Sequence, residues 1–374
     1  MVKNLSHSIF VFSFVFFSLL PFSFGETHTA AGHTFSVTPI AEGLKNPWSL
    51  VELESGEILV TERSGAIRRI VDGKLLAEPV TGVPEVYAKG QGGLLDLALH
   101  PDFADNKFLY FAYSMPKGDT AMTAVMRARY ENGELSDQKI IFEAPESEFT
   151  RSGPHYGCRL VFDKNNHLLF SIGDRGVMNN AQNLSNHKGK ILRVTDEGEI
   201  PSDNPFLDDS DVPPALYAYG VRNPQGMDIH PVTHEIWETE HGPRGGDELN
   251  IIKAGKNYGW PKVTYGINYN GTPISEVTEL PGIEPPVHYW VPSPALAGIA
   301  FYQGNQFPKW QNHLLITALK FESLSLVEIE NNQFVRETIL LKNIGRVRDV
   351  VVARDGSIFV VLDNPGTILH IQAI

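Results

Sequence analysis

One pattern recurs six times along this chain: a polar turn that contains mostly Asn, Asp and Gly, followed at once by a run of branched and aromatic residues. The turn residues favour a tight reversal of the backbone, and the apolar run favours an extended strand. Recurrence of this kind is typical of folds assembled from one repeated unit. The six segments are residues 54–60, 102–110, 163–170, 231–237, 310–316 and 355–360.

A second apolar run follows most of these segments, at residues 65–70, 189–194, 247–252, 324–329 and 367–371. We interpret the first run as the inner strand of a blade and the second as an outer strand. The uneven spacing of the segments indicates blades of four short strands with insertions of different length. The sequence therefore predicts an all-β, six-bladed β-propeller, and a pair of β-sandwiches is the alternative.

The two ends of the chain predict how this ring closes. A strand near residues 33–39 can pair with the C-terminal run at 367–371, which would protect the edges of the sheets. No linker, low-complexity run or charge block divides residues 26–374, so we expect one domain there.

Residues 1–25 have the composition of a secretory signal peptide. Lys3 precedes an apolar stretch at residues 9–20, and small residues follow near Gly25. A membrane anchor would need about 20 uninterrupted apolar residues, whereas two serines and Pro21 interrupt this run. We predict cleavage near Gly25 and a periplasmic or secreted protein without a stable membrane anchor. An uncleaved anchor, or cleavage nearer Ala31, is the alternative.

Composition limits the chemistry that this chain can perform. A single cysteine in 374 residues excludes an intramolecular disulfide and multi-cysteine metal or iron–sulfur sites, so redox chemistry would require a bound cofactor. The formal net charge of −13 argues against nucleic acid as the partner, because phosphate backbones are bound by clustered Lys and Arg. Local basic pockets are compatible with this overall charge.

Six loops have compositions that a plain connector would not need. Four are rich in Gly, which allows close approach of the backbone, and together they carry His side chains and several cations. Propellers present functional groups on loops around the central axis, so we expect these loops to form one site. They are residues 90–95, 153–159, 219–226, 240–248, 318–320 and 345–349.

In this order, the loops resemble those of the soluble quinoprotein sugar dehydrogenases, which depend on pyrroloquinoline quinone and include the glucose/sorbosone and aldose sugar dehydrogenases. The resemblance runs from the Asn-Pro-Trp at residues 46–48 to the last predicted blade. It implies a six-bladed propeller with quinone and calcium on its axis, in agreement with the repeat pattern. It also implies an exported enzyme that oxidises the anomeric carbon of aldose sugars to lactones and passes the electrons to an acceptor.

The resemblance assigns roles to particular residues of this chain. His155 matches the base that removes the proton from the anomeric hydroxyl while hydride passes to the quinone, a role that suits a neutral imidazole. Arg222 matches a cation beside the reacting carbonyl. Pro154 stands where the glucose dehydrogenase branch has Asp, so we expect a different group to orient His155. Cys158 is expected to be a small buried residue without a catalytic role.

The same resemblance implies a set of residues that hold the quinone. The cofactor carries three carboxylates and an ortho-quinone, which call for Arg forks, a Lys and amide donors. Arg346 and Arg348 alternate along an extended run, so their side chains should project to one face. The implied cofactor-binding residues are Gln91, Arg222, Asn223, Leu319, Lys320, Arg346 and Arg348.

Two calcium sites are also implied by the resemblance. Gly242 and Pro243 match backbone carbonyl ligands of the calcium that clamps the quinone, and Glu248 with the Tyr258 carbonyl matches a second, structural site. Ligation by oxygen alone suits calcium. An exposed acidic turn is the alternative for Glu248.

Two other functions remain open for a propeller of this kind. A calcium-dependent lactonase would need carboxylates and amides that converge on the axis, whereas these loops carry mainly cations. A non-catalytic binding module would be expected to lack His155 or the Arg346/Arg348 pair. The expected partners of the enzyme are an aldose and an electron acceptor that we do not identify, and the expected oligomeric state is a monomer or a homodimer.

Overall fold

The computed structural model describes Gly25 and residues 27–374, so the predicted leader lies outside the described residues except for Gly25. The regular secondary structure of the described part is almost entirely β-strand. Its helices are α1 (Phe103–Asn106) and three 3₁₀ turns at Glu146–Glu148, Met178–Gln182 and Pro308–Trp310. In this part of the chain we find no helix with the length and apolar character that a membrane crossing requires.

Twenty-five strands make up this part of the chain. They are β1 (Thr27–Ala30), β2 (His33–Ala41), β3 (Pro47–Glu52), β4 (Ile58–Glu62), β5 (Ala66–Val71), β6 (Lys74–Leu75), β7 (Leu94–Leu99), β8 (Phe108–Lys117), β9 (Thr120–Glu131), β10 (Glu134–Phe142), β11 (Leu160–Phe162), β12 (His167–Ile172), β13 (Lys190–Thr195), β14 (Leu216–Tyr219), β15 (Pro224–Ile229), β16 (Ile236–Glu240), β17 (Asp247–Ile252), β18 (His288–Trp290), β19 (Leu296–Phe301), β20 (Leu314–Ala318), β21 (Ser323–Glu330), β22 (Gln333–Lys342), β23 (Arg346–Val352), β24 (Ile358–Asn364) and β25 (Thr367–Ala373).

These strands form six antiparallel sheets, which confirms the predicted six-bladed propeller. Blades 1 to 5 are β3–β6, β7–β10, β11–β14, β15–β18 and β19–β22, each paired in chain order. Blade 6 combines β23, β24 and β25 with β2 and β1 from the start of the described chain. The predicted closure is confirmed, because β2 pairs with β25 in a register that sets Val37 opposite Ile371.

The recurring turn-and-strand segments correspond to the second strands of the blades, and the runs that follow them correspond to the third strands. The first run is therefore not the innermost strand of its blade, although it does lie inside the run that follows. The innermost strands are the first of each blade, and they contact one another around the ring. Four of them, β7, β11, β15 and β23, follow motif loops rather than the polar turn of the repeat. The third strand of blade 2, β9, was missed because buried alanines dilute its strand-forming residues.

The hydrophobic core lies largely between neighbouring blades. In blade 4, the fully buried Trp237 packs edge-on against Phe301 of blade 5, with ring centroids 5.7 Å apart. In blade 6, Phe35 and Val37 from the N-terminal side pack in one cluster with Leu369 and Ile371 from the C-terminal side. Burial of side chains of this size contributes about 1.5–3 kcal/mol each, so the blades form a rigid support for the loops.

All six motif loops lie at one end of the ring. In an antiparallel blade, the loop that enters the first strand and the loop between the second and third strands are at the same edge. The loops at 90–95, 153–159, 219–226 and 345–349 lead into first strands, and those at 240–248 and 318–320 join second strands to third strands. The fold therefore brings together residues that are up to about 250 positions apart along the chain.

Candidate active site

His155 lies in the loop that enters blade 3, with 13% of its side chain exposed. Its backbone has a φ of +56°, in the left-handed region that a residue with a Cβ adopts at a cost of about 1–2 kcal/mol. The backbone N–H of His155 donates to Oε1 of Gln91 at 2.8 Å, which links the loops of blades 2 and 3. Such strain, held by surrounding contacts, is common at functional sites.

Asp174 is the group that orients His155. Its Oδ1 lies 2.6 Å from Nδ1 of the imidazole, and its carboxylate also accepts hydrogen bonds from the Gly176 backbone N–H at 2.7 Å and from Trp260 Nε1 at 2.8 Å. Burial opposes the charge of Asp174, but these bonds outweigh burial and keep the pKa of the carboxyl below its usual range. The sequence pattern did not identify Asp174, although it stands between the second and third strands of blade 3, at the functional end of the ring.

Arg175 holds the loop that carries His155. Its guanidinium donates to the carbonyl of Pro154 and, at 2.6 Å, to the carbonyl of Ser152. It also lies over the ring of Tyr156, with its Cζ 3.3 Å from the ring centroid. These contacts hold the backbone before His155 and the side chain of Tyr156 after it.

The surroundings of His155 favour a neutral imidazole. Burial lowers the pKa of His155, and the charge of Arg222 lowers it further, while the hydrogen bond to Asp174 acts in the opposite direction. We infer that the carboxylate of Asp174 accepts a hydrogen bond from Nδ1–H of His155, because a neutral imidazole carries one ring proton and Asp174 is ionised. Nε2 is then unprotonated and can act as a base.

Arg222 and Asn223 enter blade 4 beside this base. The Nη1 of Arg222 donates to the carbonyls of His241 at 2.8 Å and Gly242 at 3.0 Å. Its Nε is buried and has no hydrogen-bond partner among the described residues. Asn223 accepts a hydrogen bond from the backbone N–H of Gly157 at 3.3 Å, two residues after His155. The loops of blades 3 and 4 are therefore directly joined.

Arg346 and Arg348, both on β23 of blade 6, lie near the carboxylate of Asp363. Their guanidinium nitrogens lie 3.6 Å and 3.7 Å from Oδ2 of Asp363, so the two side chains share a face as predicted. Arg346 is half exposed, whereas only 12% of the Arg348 side chain is exposed. Burial lowers the pKa of Arg348 to about 10, where it is still positively charged at neutral pH.

Leu319 and Lys320 lie at the same end of blade 5. Their backbone N–H groups donate to the carbonyls of Ala295 at 2.8 Å and Pro294 at 2.9 Å. Leu319 is buried and Lys320 is exposed. The adjoining Leu296 N–H donates to Asp247, whose other oxygen accepts from the N–H of Gly242, so blade 5 is tied to the loop of blade 4.

Three of the four residues predicted to bind metal border a small cavity beside this cluster. Glu248, Tyr258 and Gly242 border it together with Arg222 and Glu240, and its volume of ≈ 10 Å³ is about the space that one water molecule needs. Pro243 follows Gly242 in the same loop, outside this lining. Glu248 is buried, which rules out the exposed turn considered above.

Glu238 and Glu248 are buried near this cavity with no ion-pair partner among the described residues, whereas Glu240 accepts hydrogen bonds from the backbone N–H groups of Arg222 and Asn223. Burial and mutual repulsion raise the pKa of Glu238 and of Glu248, and burial raises the pKa of Glu240 to about 7. Oε1 of Glu238 and Oδ1 of Asn250 lack a hydrogen-bond partner within the described ranges. No three His, Cys, Asp or Glu side chains among the described residues gather closely enough to form a metal site on their own. A cation here would therefore also need carbonyl oxygens.

The predicted site residues thus lie at one end of the ring, and hydrogen bonds join several of the loops that carry them. Hydrogen bonds join Gln91 to His155, Gly157 of the His155 loop to Asn223, and Arg222 to Gly242. Cys158 is fully buried nearby, and burial raises the pKa of its thiol, in keeping with the expected non-catalytic role.

Comparison with known proteins identifies a family and a relative that this chain resembles. A family model described as glucose/sorbosone dehydrogenase matches residues 44–370. Aldose sugar dehydrogenase YliI from Escherichia coli (strain K12) is 41% identical over 351 residues, with 92% of this chain and 94% of that relative aligned.

Two solved structures have the same architecture. The crystal structure of the soluble aldose sugar dehydrogenase (Asd) from Escherichia coli in the apo-form superposes with a TM-score of 0.86 at 39% identity, over 91% of this chain and 100% of that chain. The PQQ-bound form of aldose sugar dehydrogenase (Adh) from Streptomyces coelicolor superposes with a TM-score of 0.74 at 27% identity, over 91% and 98% of the two chains.

Proposed function

The chain belongs to the glucose/sorbosone dehydrogenase family, and on that basis we propose that it is a sugar dehydrogenase that oxidises the anomeric carbon of aldoses to lactones. The observation that carries this proposal is the His155–Asp174 pair in a loop cluster rich in cations. In the reaction, the proton of the anomeric hydroxyl passes to Nε2 of His155 and hydride leaves the anomeric carbon. The products are the lactone and a reduced acceptor.

The residues at the site suit pyrroloquinoline quinone, which would supply the two-electron acceptor for the hydride when bound. The Nε atoms of Arg222 and Arg348 are buried and have no hydrogen-bond partner among the described residues, so each guanidinium has a donor to offer an anion. A tricarboxylate is the kind of ligand that such cations recognise. We assign the binding role to Gln91, Arg222, Asn223, Leu319, Lys320, Arg346 and Arg348.

Calcium is the second group that the site suits. Buried carboxylates and amide oxygens that lack partners are stabilised by a hard cation, and oxygen ligands suit calcium. We propose that Glu248 and the Tyr258 carbonyl hold one ion, and that the carbonyls of Gly242 and Pro243 hold the ion beside the cofactor. The Gly242 carbonyl accepts a hydrogen bond from Arg222, so this bond would have to weaken or be shared when an ion binds.

The remaining parts of the proposal concern location and partners. We propose that residues 1–25 direct export and are removed, so that the enzyme works in the periplasm or outside the cell without a stable membrane anchor. The electrons would pass from the reduced cofactor to a separate acceptor. A monomer or a homodimer would be sufficient, since the cluster is assembled within one chain.

A reconstitution assay tests this function. Purified protein is incubated with calcium and pyrroloquinoline quinone, and reduction of a dye is followed with glucose and other aldoses. We expect turnover that requires the quinone, and a loss of about 10²–10⁴-fold in kcat for His155→Ala. The control is His234→Asn, because His234 is exposed in the turn between β15 and β16 and Asn tolerates its positive φ of 61°.

Three outcomes would contradict the proposal. Failure of the protein to bind the quinone would remove the cofactor assignment. Lactone hydrolysis that depends on calcium alone would indicate the hydrolase alternative. Full turnover by His155→Ala would remove the proposed base.

A further inference from the structure

Gln225 lies at the start of β15, in the centre of the cluster, with 5% of the residue exposed. Its side-chain oxygen accepts a hydrogen bond from Nη1 of Arg348 at 2.8 Å. Its side-chain nitrogen donates to the carbonyl of Gly157 at 2.8 Å and to Oδ1 of Asn223 at 3.3 Å. One amide therefore connects blade 6, the loop that carries His155, and the loop that carries Arg222.

The backbone of Gln225 is held from the axial side. Nε and Nη2 of Arg159 donate to the Gln225 carbonyl at 3.2 Å and 3.1 Å. Nη1 of Arg159 lies 2.9 Å from Asp96 and 3.0 Å from Asp349, on the first strands of blades 2 and 6. The carbonyl of Gln225 is thus anchored to an ion network that joins several blades, so the direction of its side chain is well defined.

Among the described residues, Gln225 is the only hydrogen-bond partner of the Arg348 side chain. The carboxylate of Asp363 is 3.7 Å away, beyond ordinary hydrogen-bond distance, and Nε of Arg348 has no hydrogen-bond partner among the described residues. A neutral amide oxygen fixes the direction of a guanidinium without cancelling its charge. A carboxylate at the same place would neutralise the charge that an anionic cofactor needs.

We propose that Gln225 is a positioning residue that sets the Arg348 guanidinium and the backbone of the His155 loop in one hydrogen-bonded unit. The proposal rests on the proposed function, because Arg348 acts there on an anionic cofactor. Gln225 itself contacts neither substrate nor cofactor in this role. Gln225 sets the position of the Arg348 guanidinium relative to His155.

Variants at this position test the proposal through binding as well as turnover. The dissociation constant of pyrroloquinoline quinone is measured on the protein with calcium from quenching of tryptophan fluorescence. We expect Gln225→Leu to weaken binding by about tenfold or more, because it removes the acceptor for Arg348 and leaves the Gly157 carbonyl unpaired. The isosteric Gln225→Glu should also weaken binding, because its charge opposes the cofactor carboxylates.

Gln306→Leu is the matched control. Gln306 also bridges two chain segments, through the carbonyl of Asp355 and the N–H of Ala373, but it lies between β19 and β20 of blade 5, at the opposite end of the ring. We expect its dissociation constant for the quinone to stay within about twofold of the wild type. Thermal unfolding of each variant identifies any loss of fold, and Gln225→Glu carries the test if Gln225→Leu does not fold.

A double-mutant cycle with Arg348→Lys distinguishes positioning from a general structural role. If Gln225 acts through Arg348, the effect of Arg348→Lys on quinone affinity is smaller in the Gln225→Leu background than in the wild type. Additive effects, or unchanged affinity in both Gln225 variants, would overturn the proposal and leave the proposed function intact. Absence of quinone binding by the wild type would instead refute the proposed function and, with it, this proposal.

Discussion

The Nδ1 atom of His155 and the Oδ1 atom of Asp174 are 2.6 Å apart, and the two side chains come from different loops of blade 3. Asp174 is almost completely buried, and two further donors hold its carboxylate in place. The imidazole is consequently fixed in one orientation and one tautomer. This pair is the basis for expecting proton abstraction at Nε2.

We expect Asp174→Asn to lower kcat by about 10²-fold or more, because an amide does not favour the required tautomer of His155. Asp174 raises the pKa of His155 against the effect of burial, so its loss should lower that pKa further. The acid limb of the kcat/KM profile should then move to lower pH. The profile is measured from pH 4 to pH 8, and an acid limb that moves to higher pH would contradict this account.

Arg175→Met tests whether Arg175 holds the loop that carries His155 in place. The variant loses the hydrogen bonds to the carbonyls of Ser152 and Pro154, and we expect a drop in kcat of about tenfold and a loss of about 1–3 kcal/mol in unfolding free energy. The control is Arg151→Met on the loop that carries His155. Arg151 is exposed, and its ion pair with Asp119 should be worth less than about 1 kcal/mol. Equal kcat losses in the two variants would argue against a specific role of Arg175.

Calcium should stabilise the protein, and Glu248→Gln should reduce that effect, because only the ion at the carbonyls of Gly242 and Pro243 would remain. An ion that binds only the folded state raises the unfolding free energy by about 2.7 kcal/mol at a concentration of 100 times Kd. We expect the Tm of the wild type to rise on addition of calcium and to fall with a chelator, as followed by circular dichroism. The exposed Glu276→Gln should behave like the wild type. A rise in Tm with calcium that is as large in Glu248→Gln as in the wild type would refute the assignment.

Arg159→Leu should strongly destabilise the propeller. The variant leaves Asp96 and Asp349 buried without their shared cation, and breaking a buried ion pair on one side costs about 3–5 kcal/mol. Urea unfolding measures the loss. Arg336→Leu, which breaks an exposed pair with Glu328, should cost less than about 1 kcal/mol. Similar losses in the two variants would show that the axial network is not an important source of stability.

Ile371→Ala tests the closure of the ring. Ile371 is fully buried opposite Val37, and truncation of such a side chain costs about 2–5 kcal/mol. Val335→Ala in β22, where the side chain is about half exposed, should change the unfolding free energy by less than about 0.5 kcal/mol. An effect of Ile371→Ala as small as that of the control would mean that closure contributes little.

Local sequence signals predicted the elements of the fold well but not their order within a blade. The turn at residues 163–166 and the strand that follows are encoded by adjacent residues, and both are present. The first strands carry residues such as Asp96 and Asp349, which have low strand propensity, and their position on the axis is decided by contacts between blades.

The sequence by itself determined the six strand repeats, the closing pair of strands and the residue types of the functional loops, because turn preference and strand alternation act over a few neighbouring residues. It did not determine that Asp174 orients His155, or that Gln225 contacts Arg348, which is 123 positions away. The first contact requires two loops of blade 3 to fold together, and the second exists only when the ring is closed. Closure brings loops from different blades to the axis, and the resulting burial decides which polar groups pair.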